Sequence, residues 1–102
     1  MLQMDPRTRL LYWLLNASRG GPTRLRILAA LSKKPMNLHQ LSKALGLDYK
    51  TVQGHAGILI ENGVLETPKK KYGSLYFISH EWDSNEYLKG ILEGGGNGKD
   101  KK

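Results

Sequence analysis

The stretch DYKTVQGHAGIL, Asp48 to Leu59, gathers side chains suited to reading a polar, anionic surface. Lys50 can reach a guanine edge or a phosphate, and Gln53 has the paired donor and acceptor that match adenine. Thr51 can meet a phosphate or a thymine methyl, and Tyr49 can donate its hydroxyl to a phosphate. On a helix, positions 49, 50, 53, 54 and 57 lie away from an inward stripe of Val52, Ala56 and Leu59. Two of the outward positions are Gly54 and Gly57, each costing roughly 1 kcal/mol against alanine in a helix interior. With no side chain they would let the backbone lie deep against a groove wall; close packing on another helix is the alternative.

A second group follows in Pro68-Lys69-Lys70-Lys71-Tyr72-Gly73. Three consecutive lysines on an exposed loop can neutralise phosphates, releasing counterions and making affinity fall with salt. Such contacts position more than they read. Two helix starts are further candidate phosphate anchors, because unpaired N–H groups point out of them. One holds Thr23 and Arg24; the other holds Asn37, His39 and Gln40. The histidines His39, His55 and His80 have no ligand spacing, and no cysteine is present, so no metal, disulfide or cofactor site is expected. No nucleophile elbow, phosphate-cradling glycine loop or carboxylate pair appears, which argues against an enzyme.

Charge agrees with an anionic partner. The chain of 102 residues carries 16 Lys and Arg against 9 Asp and Glu, a net charge of +7. The basic residues concentrate before residue 81, whereas Glu81, Asp83, Glu86 and Glu93 make the C-terminal helical segment acidic. Nucleic acid is the first candidate. The longest strongly apolar run, Leu10 to Leu15, is too short to span a bilayer or to serve as a signal peptide. A cytoplasmic protein associated with the nucleoid is expected.

The elements that must hold these residues can be read from caps and periodicity. Asp5-Pro6 starts a helix expected to run to about Ala17, ended by Ser18-Arg19-Gly20-Gly21. Pro22 opens a second, with Leu25, Ile27, Leu28 and Leu31 inward and Arg24 and Arg26 on its more polar side. Asn37 and Gln40 form a capping box for a third, with Met36 stapled onto Leu41. Gly46 terminates it and Asp48 caps the fourth, from Tyr49 to about Asn62. Two short capped helices joined by Gly-Leu-Asp make a helix-turn-helix. Val64–Thr67 and Ser74–Ser79 read as a hairpin around the lysine loop. Asp83 and Glu86 suggest a capping box for a last helix, with Trp82 stapled onto Tyr87. Residues 94–102, GGGNGKDKK, read as a disordered Gly/Lys tail, leaving one domain over residues 1–93.

The order helix, helix, helix-turn-helix, hairpin, helix resembles a winged helix-turn-helix: a mainly α fold with a small β-hairpin and extra N- and C-terminal helices. More closely, GGPTR (Gly20 to Arg24), LGLDYKTV (Leu45 to Val52) and ENGVL (Glu61 to Leu65) resemble the small arsenic-repressor-like (ArsR-like) winged-helix regulators common in archaea. The resemblance covers about residues 9–80. It implies a homodimeric, sequence-specific regulator of transcription that binds double-stranded DNA. Gly54 and Gly57 stand where related proteins often carry basic or polar residues, and the cysteines of the metal-sensing branch are missing. No small-molecule or metal effector is evident.

The flanking helices supply dimerisation candidates in Leu10, Leu11, Trp13, Leu14, Trp82, Tyr87, Leu88 and Ile91. A two-fold dimer would present two recognition helices about one DNA turn apart on an inverted repeat. Two other readings stay open on the residues alone: a winged-helix module for protein–protein assembly, and a chromatin or RNA binder of low specificity.

Overall fold

A computed structural model describes residues 5–69 and 71–95. Helix α1, Pro6–Tyr12, begins where Asp5 accepts the Thr8 N–H at 2.7 Å. It then widens into a π-helical turn, Trp13–Ala17, in which the Ser18 N–H reaches back five residues to the Trp13 carbonyl at 2.9 Å. After the turn, α2 runs over Gly21–Lys33, and β1 is the two-residue strand Met36–Asn37.

Helix α3, Leu38–Leu45, has both halves of the expected capping box: Gln40 N–H donates to Asn37 Oδ1 at 2.8 Å, and Asn37 N–H donates to Gln40 Oε1 at 2.9 Å. Gly46 ends it at φ 70°, a left-handed conformation that glycine adopts without steric cost. Helix α4, Tyr49–Glu61, starts on Asp48. The hairpin strands are β2, Leu65–Glu66, and β3, Leu75–Ile78.

Strand β3 lies in the middle of a three-stranded antiparallel sheet. Leu65 pairs with Ile78 and Glu66 with Phe77 on one side; Met36 pairs with Tyr76 and Asn37 with Leu75 on the other. Strand β1 is absent from the sequence reading. Met36 takes a place in the sheet directly before α3, so the start of the helix-turn-helix is tied to the hairpin.

The C-terminal segment is two short helices, α5, His80–Asp83, and α6, Glu86–Gly90, continued by a π-helical turn, Ile91–Gly95. The expected Asp83–Glu86 box is not the cap. Asn85 caps α6, accepting the Leu88 N–H at 2.9 Å, because Asp83 is already the last residue of α5. Helical backbone reaches Gly95, so Gly94 and Gly95 are not part of an unstructured tail. Residues 96–102 of that expected tail lie outside the described residues.

One core joins these pieces. Leu11, Leu14, Ile27, Leu28, Leu41, Val52, Leu59, Val64 and Leu65 are its innermost residues. Trp82 and Leu88 close it from the C-terminal side at 1% exposure each. Four proposed interface residues, Leu11, Leu14, Trp82 and Leu88, are therefore corrected to core residues of the protomer. The apolar excess of α1 and its π-turn surfaces elsewhere, at Tyr12, 46% exposed, and Trp13, 53% exposed. Leu10 of α1, Tyr87 of α6 and Ile91 of the turn after α6 are half-buried, and the Tyr87 hydroxyl accepts from Asn16 at 3.4 Å. Arg7 spans α1 and α5, 3.7 Å from the Glu81 carboxylate and over the Trp82 ring at 5.8 Å.

Candidate nucleic-acid interface

Helix α4 buries Val52, Ala56 and Leu59 and turns Lys50, Thr51, Gln53 and Gly54 to solvent, with Tyr49 and Gly57 half-buried at the edge. An added Cβ at Gly54 or Gly57 would meet nothing within 4 Å. Among the described residues nothing stands where a side chain at either glycine would point, so helix packing among them does not explain the pair. The helix start is stiffened by Asp48, which accepts the Thr51 N–H at 3.1 Å and the Thr51 hydroxyl at 2.7 Å. Those two bonds, the hydroxyl's first, hold the Asp48 carboxyl below its ordinary range. They also commit the Thr51 hydroxyl proton, so Thr51 offers a methyl group outward and not a free donor.

The hairpin tip stands beside this helix. Lys69, Lys71 and Tyr72 are exposed; Lys70 lies outside the described residues. The Tyr72 and Tyr49 rings are 6.2 Å apart with planes inclined by 31°, a tilted aromatic contact joining hairpin to helix. Tyr76 of β3 completes the group, and burial followed by the neighbouring Tyr49 raises its hydroxyl above the usual tyrosine value.

The candidate anchors divide. At the start of α3, His39 and Gln40 are exposed and Asn37 is half-buried. The capping box uses the two amide oxygens, which leaves the Asn37 and Gln40 NH₂ groups as donors. At the start of α2, Thr23 is half-buried, but Arg24 is only 4% exposed. Its guanidinium donates to the carbonyls of Leu14 at 3.2 Å and Arg19 at 2.6 Å, and to the Ser18 hydroxyl at 3.2 Å. Arg24 is thus corrected from a surface anchor to an internal clamp. The π-turn explains its place: sending the Ser18 N–H to Trp13 leaves the Leu14 carbonyl free for the guanidinium. The signal was in the spacing, since positions 24, 27, 28 and 31 form one helical stripe. Arg26, by contrast, is exposed and donates to the Leu45 carbonyl at 2.8 Å, tying α2 to the end of α3.

His55 faces inward from α4 to the α1–α2 turn. Its Nδ1 is buried without a partner, as is Arg24 Nε. Burial, and then the charge of Arg24, hold the imidazole below its ordinary pKa. Among the described residues, no three His, Asp or Glu groups converge as metal ligands, and no helix is long and apolar enough to cross a membrane.

A helix-turn-helix with a free outward face, followed directly by a lysine hairpin, defines the winged helix-turn-helix class. Within it, residues 21–67 match the family model described as bacterial regulatory protein, arsR family. Solved structures agree on the fold. The transcriptional repressor BigR from Xylella fastidiosa superposes with TM-score 0.69 at 19% identity, over 83% of this chain and 79% of its own. Reduced HlyU from Vibrio cholerae gives 0.61 at 22%, over 84% and 82%. The homodimeric winged helix-turn-helix DNA-binding domain Mb0332 from Mycobacterium bovis, described as a possible ArsR-family transcriptional regulator, gives 0.58 at 19%, over 81% and 80%. At these identities the likeness is one of fold, and it carries no indication of archaeal origin. A search of curated proteins finds no match.

Proposed function

We propose that this protein is a homodimeric, DNA-binding regulator of transcription and not an enzyme. The observation that carries this is the outward face of α4: rigidly capped, polar, unobstructed at both glycines, and flanked by hairpin lysines. The match of residues 21–67 to the arsR-family model supports the same reading.

In this mechanism α4 enters the major groove, with Lys50 and Gln53 at base edges and Tyr49 at a phosphate. Gly54 and Gly57 bring the helix backbone close to the groove wall. Lys69, Lys70 and Lys71, with Tyr72, grip the flanking backbone, and the α3 start adds donors from Asn37, His39 and Gln40. Two copies meet through the aromatic surface of Tyr12 and Trp13 with Leu10, Tyr87 and Ile91, as expected of a domain whose relative Mb0332 is described as homodimeric. The operator is then an inverted repeat, and the working place is the cytoplasm, on the chromosome.

The test is a fluorescence-anisotropy titration of a mixed-sequence duplex across a range of salt. Wild type is compared with the variant in which Lys69, Lys70 and Lys71 are all changed to Ala. Each phosphate contact contributes about 0.9 to the slope of log affinity against log salt, so the triple variant should show a shallower slope. No binding by wild type even at low salt would overturn the proposal. A selection from random duplexes then tests the reading helix: Lys50→Ala and Gln53→Ala should each relax preference, a good base contact being worth ~1–3 kcal/mol.

A further inference from the structure

Between α2 and the end of α3 lies an open groove of about 420 Å³. Its lining comes from α2, β1 and α3, and from neither α4 nor the hairpin. Met36, Leu45 and three alanines make it apolar, and Arg26 and Lys33 are its only charged groups, both exposed. These two cations stand seven positions apart on one face of α2, about 10 Å along the helix. One N–H of the Arg26 guanidinium is held by the Leu45 carbonyl at 2.8 Å, which fixes the group and leaves its other donors available.

The acidic C-terminal segment carries carboxylates at the same spacing. Glu86, Lys89 and Gly90 of α6 and Glu93 of the turn after it are all exposed. They repeat the intervals of Arg26, Ala29, Ala30 and Lys33, which place a row on one helical face. Lys89 lines a cleft with Asp83 and Glu93, so carboxylates accompany its charge. Among the described residues the one ion pair joins Arg7 to Glu81, so Arg26, Lys33, Glu86 and Glu93 have no counter-charge there.

We infer that α6 of one copy docks on the α2–α3 groove of another, antiparallel to α2, with Glu86 of the first beside Lys33 of the second and Glu93 beside Arg26. In this alignment Glu86, in the first turn of α6, meets Lys33, in the last turn of α2, and both charges suit the dipoles of their own helices. Groove and row are different surfaces, so the contact is heterologous and does not close on itself. It leaves Tyr12 and Trp13 uncovered and adds to the aromatic dimer, joining dimers into an open row. An acidic segment of another protein would also find Arg26 and Lys33, but this chain already carries carboxylates at the groove's own spacing.

Sedimentation velocity at low salt, over a range of protein concentration and without DNA, tests this. Wild type should sediment faster as concentration rises, and added salt should reverse the growth, because exposed ion pairs are screened. Arg26→Glu combined with Lys33→Glu should abolish it, as should Glu86→Lys combined with Glu93→Lys. All four changes together should restore it, because both sides are then reversed. The first pair lowers the net charge of +7 by four, which favours non-specific association, so loss of growth there marks a specific contact. Lys33→Glu alone keeps the Arg26–Leu45 bond and should already weaken the growth; thermal melts confirm that each variant is folded. A wild type whose sedimentation does not change with concentration overturns the inference. So does unchanged growth in the folded charge-reversed variants, or a folded fourfold variant that does not regain it. The smallest species, monomer or dimer, tests the aromatic interface separately, and the DNA-binding reading stands whichever way this falls.

Discussion

His55 on α4 sits so close to Gly20 in the α1–α2 turn that a Cβ there would stand 2.6 Å from its Cε1. Gly20 is also left-handed, at φ 88°. The turn and α4 are thus fitted to each other through one glycine. Gly20→Ala should destabilise the protein by about 2 kcal/mol, from backbone strain plus displacement of the imidazole. Urea unfolding measures this. In a His55→Ala background the penalty should shrink, because the backbone strain and the tight approach to Arg24 Nη2, 3.1 Å, remain but the imidazole contact is gone; a full additive penalty would show that the contact does not matter.

The same histidine gives a pH dependence. Its folded pKa is held below the ordinary 6.5, first by burial and then by Arg24. The unfolded chain therefore binds more protons in the interval just below 6.5, and stability rises with pH there. Wild type should keep its full stability above that value and lose part of it as pH falls through the interval toward the lowered folded value. Thermal melts at stepped pH should show the drop in wild type and a flatter profile in His55→Gln. Equal profiles would exclude His55 as the source.

Arg24 holds three acceptors at once and has no carboxylate partner among the described residues. Arg24→Met should cost about 3 kcal/mol, since the Arg19 carbonyl loses its guanidinium donor and the buried Leu14 carbonyl is left with only the long bond from the Ser18 hydroxyl, 3.4 Å. Arg24→Lys should recover little of this, because an ammonium cannot reproduce the planar fork of the guanidinium. Chemical denaturation of the three proteins ranks them; a lysine variant as stable as wild type would show that charge alone suffices.

Gly54 opens to solvent from a helix interior, so Gly54→Ala should raise stability by about 1 kcal/mol. DNA affinity should fall in the same variant, because the added methyl keeps the backbone off the groove wall. Stability and anisotropy measured on one preparation test the trade directly. A variant that is more stable and binds as tightly would leave close approach without support.

Local features were legible in the sequence. Asp5, Asn37 with Gln40, Asp48 and Gly46 act within three or four residues of themselves, and each stands at the helix end where its chemistry belongs. The outward face of α4 followed from the same periodicity. The misses all depend on distant partners. Two residues become β1 only because Tyr76 and Leu75 lie beside them. Arg24 turns inward only because a π-turn ten residues earlier frees a carbonyl. Leucine-rich flanking helices do not reveal whether Leu11, Leu14 and Leu88 face their own core or a second chain. Tyr76 was read as a strand residue, and only the closed sheet brings it beside Tyr49.

The pairing of Met36 with Tyr76 also orders events during synthesis. A chain that has emerged only as far as Gly73 holds the whole helix-turn-helix sequence but not β3, so Met36–Asn37 has no strand to join. Helices α2, α3 and α4 can form from near neighbours, while the sheet waits for a contact across forty positions, the slower kind of closure. Helix α4 therefore acquires its flanking hairpin in one late step, and a nascent chain halted in the hairpin loop would carry α4 without the strand that ties the start of α3 to the hairpin.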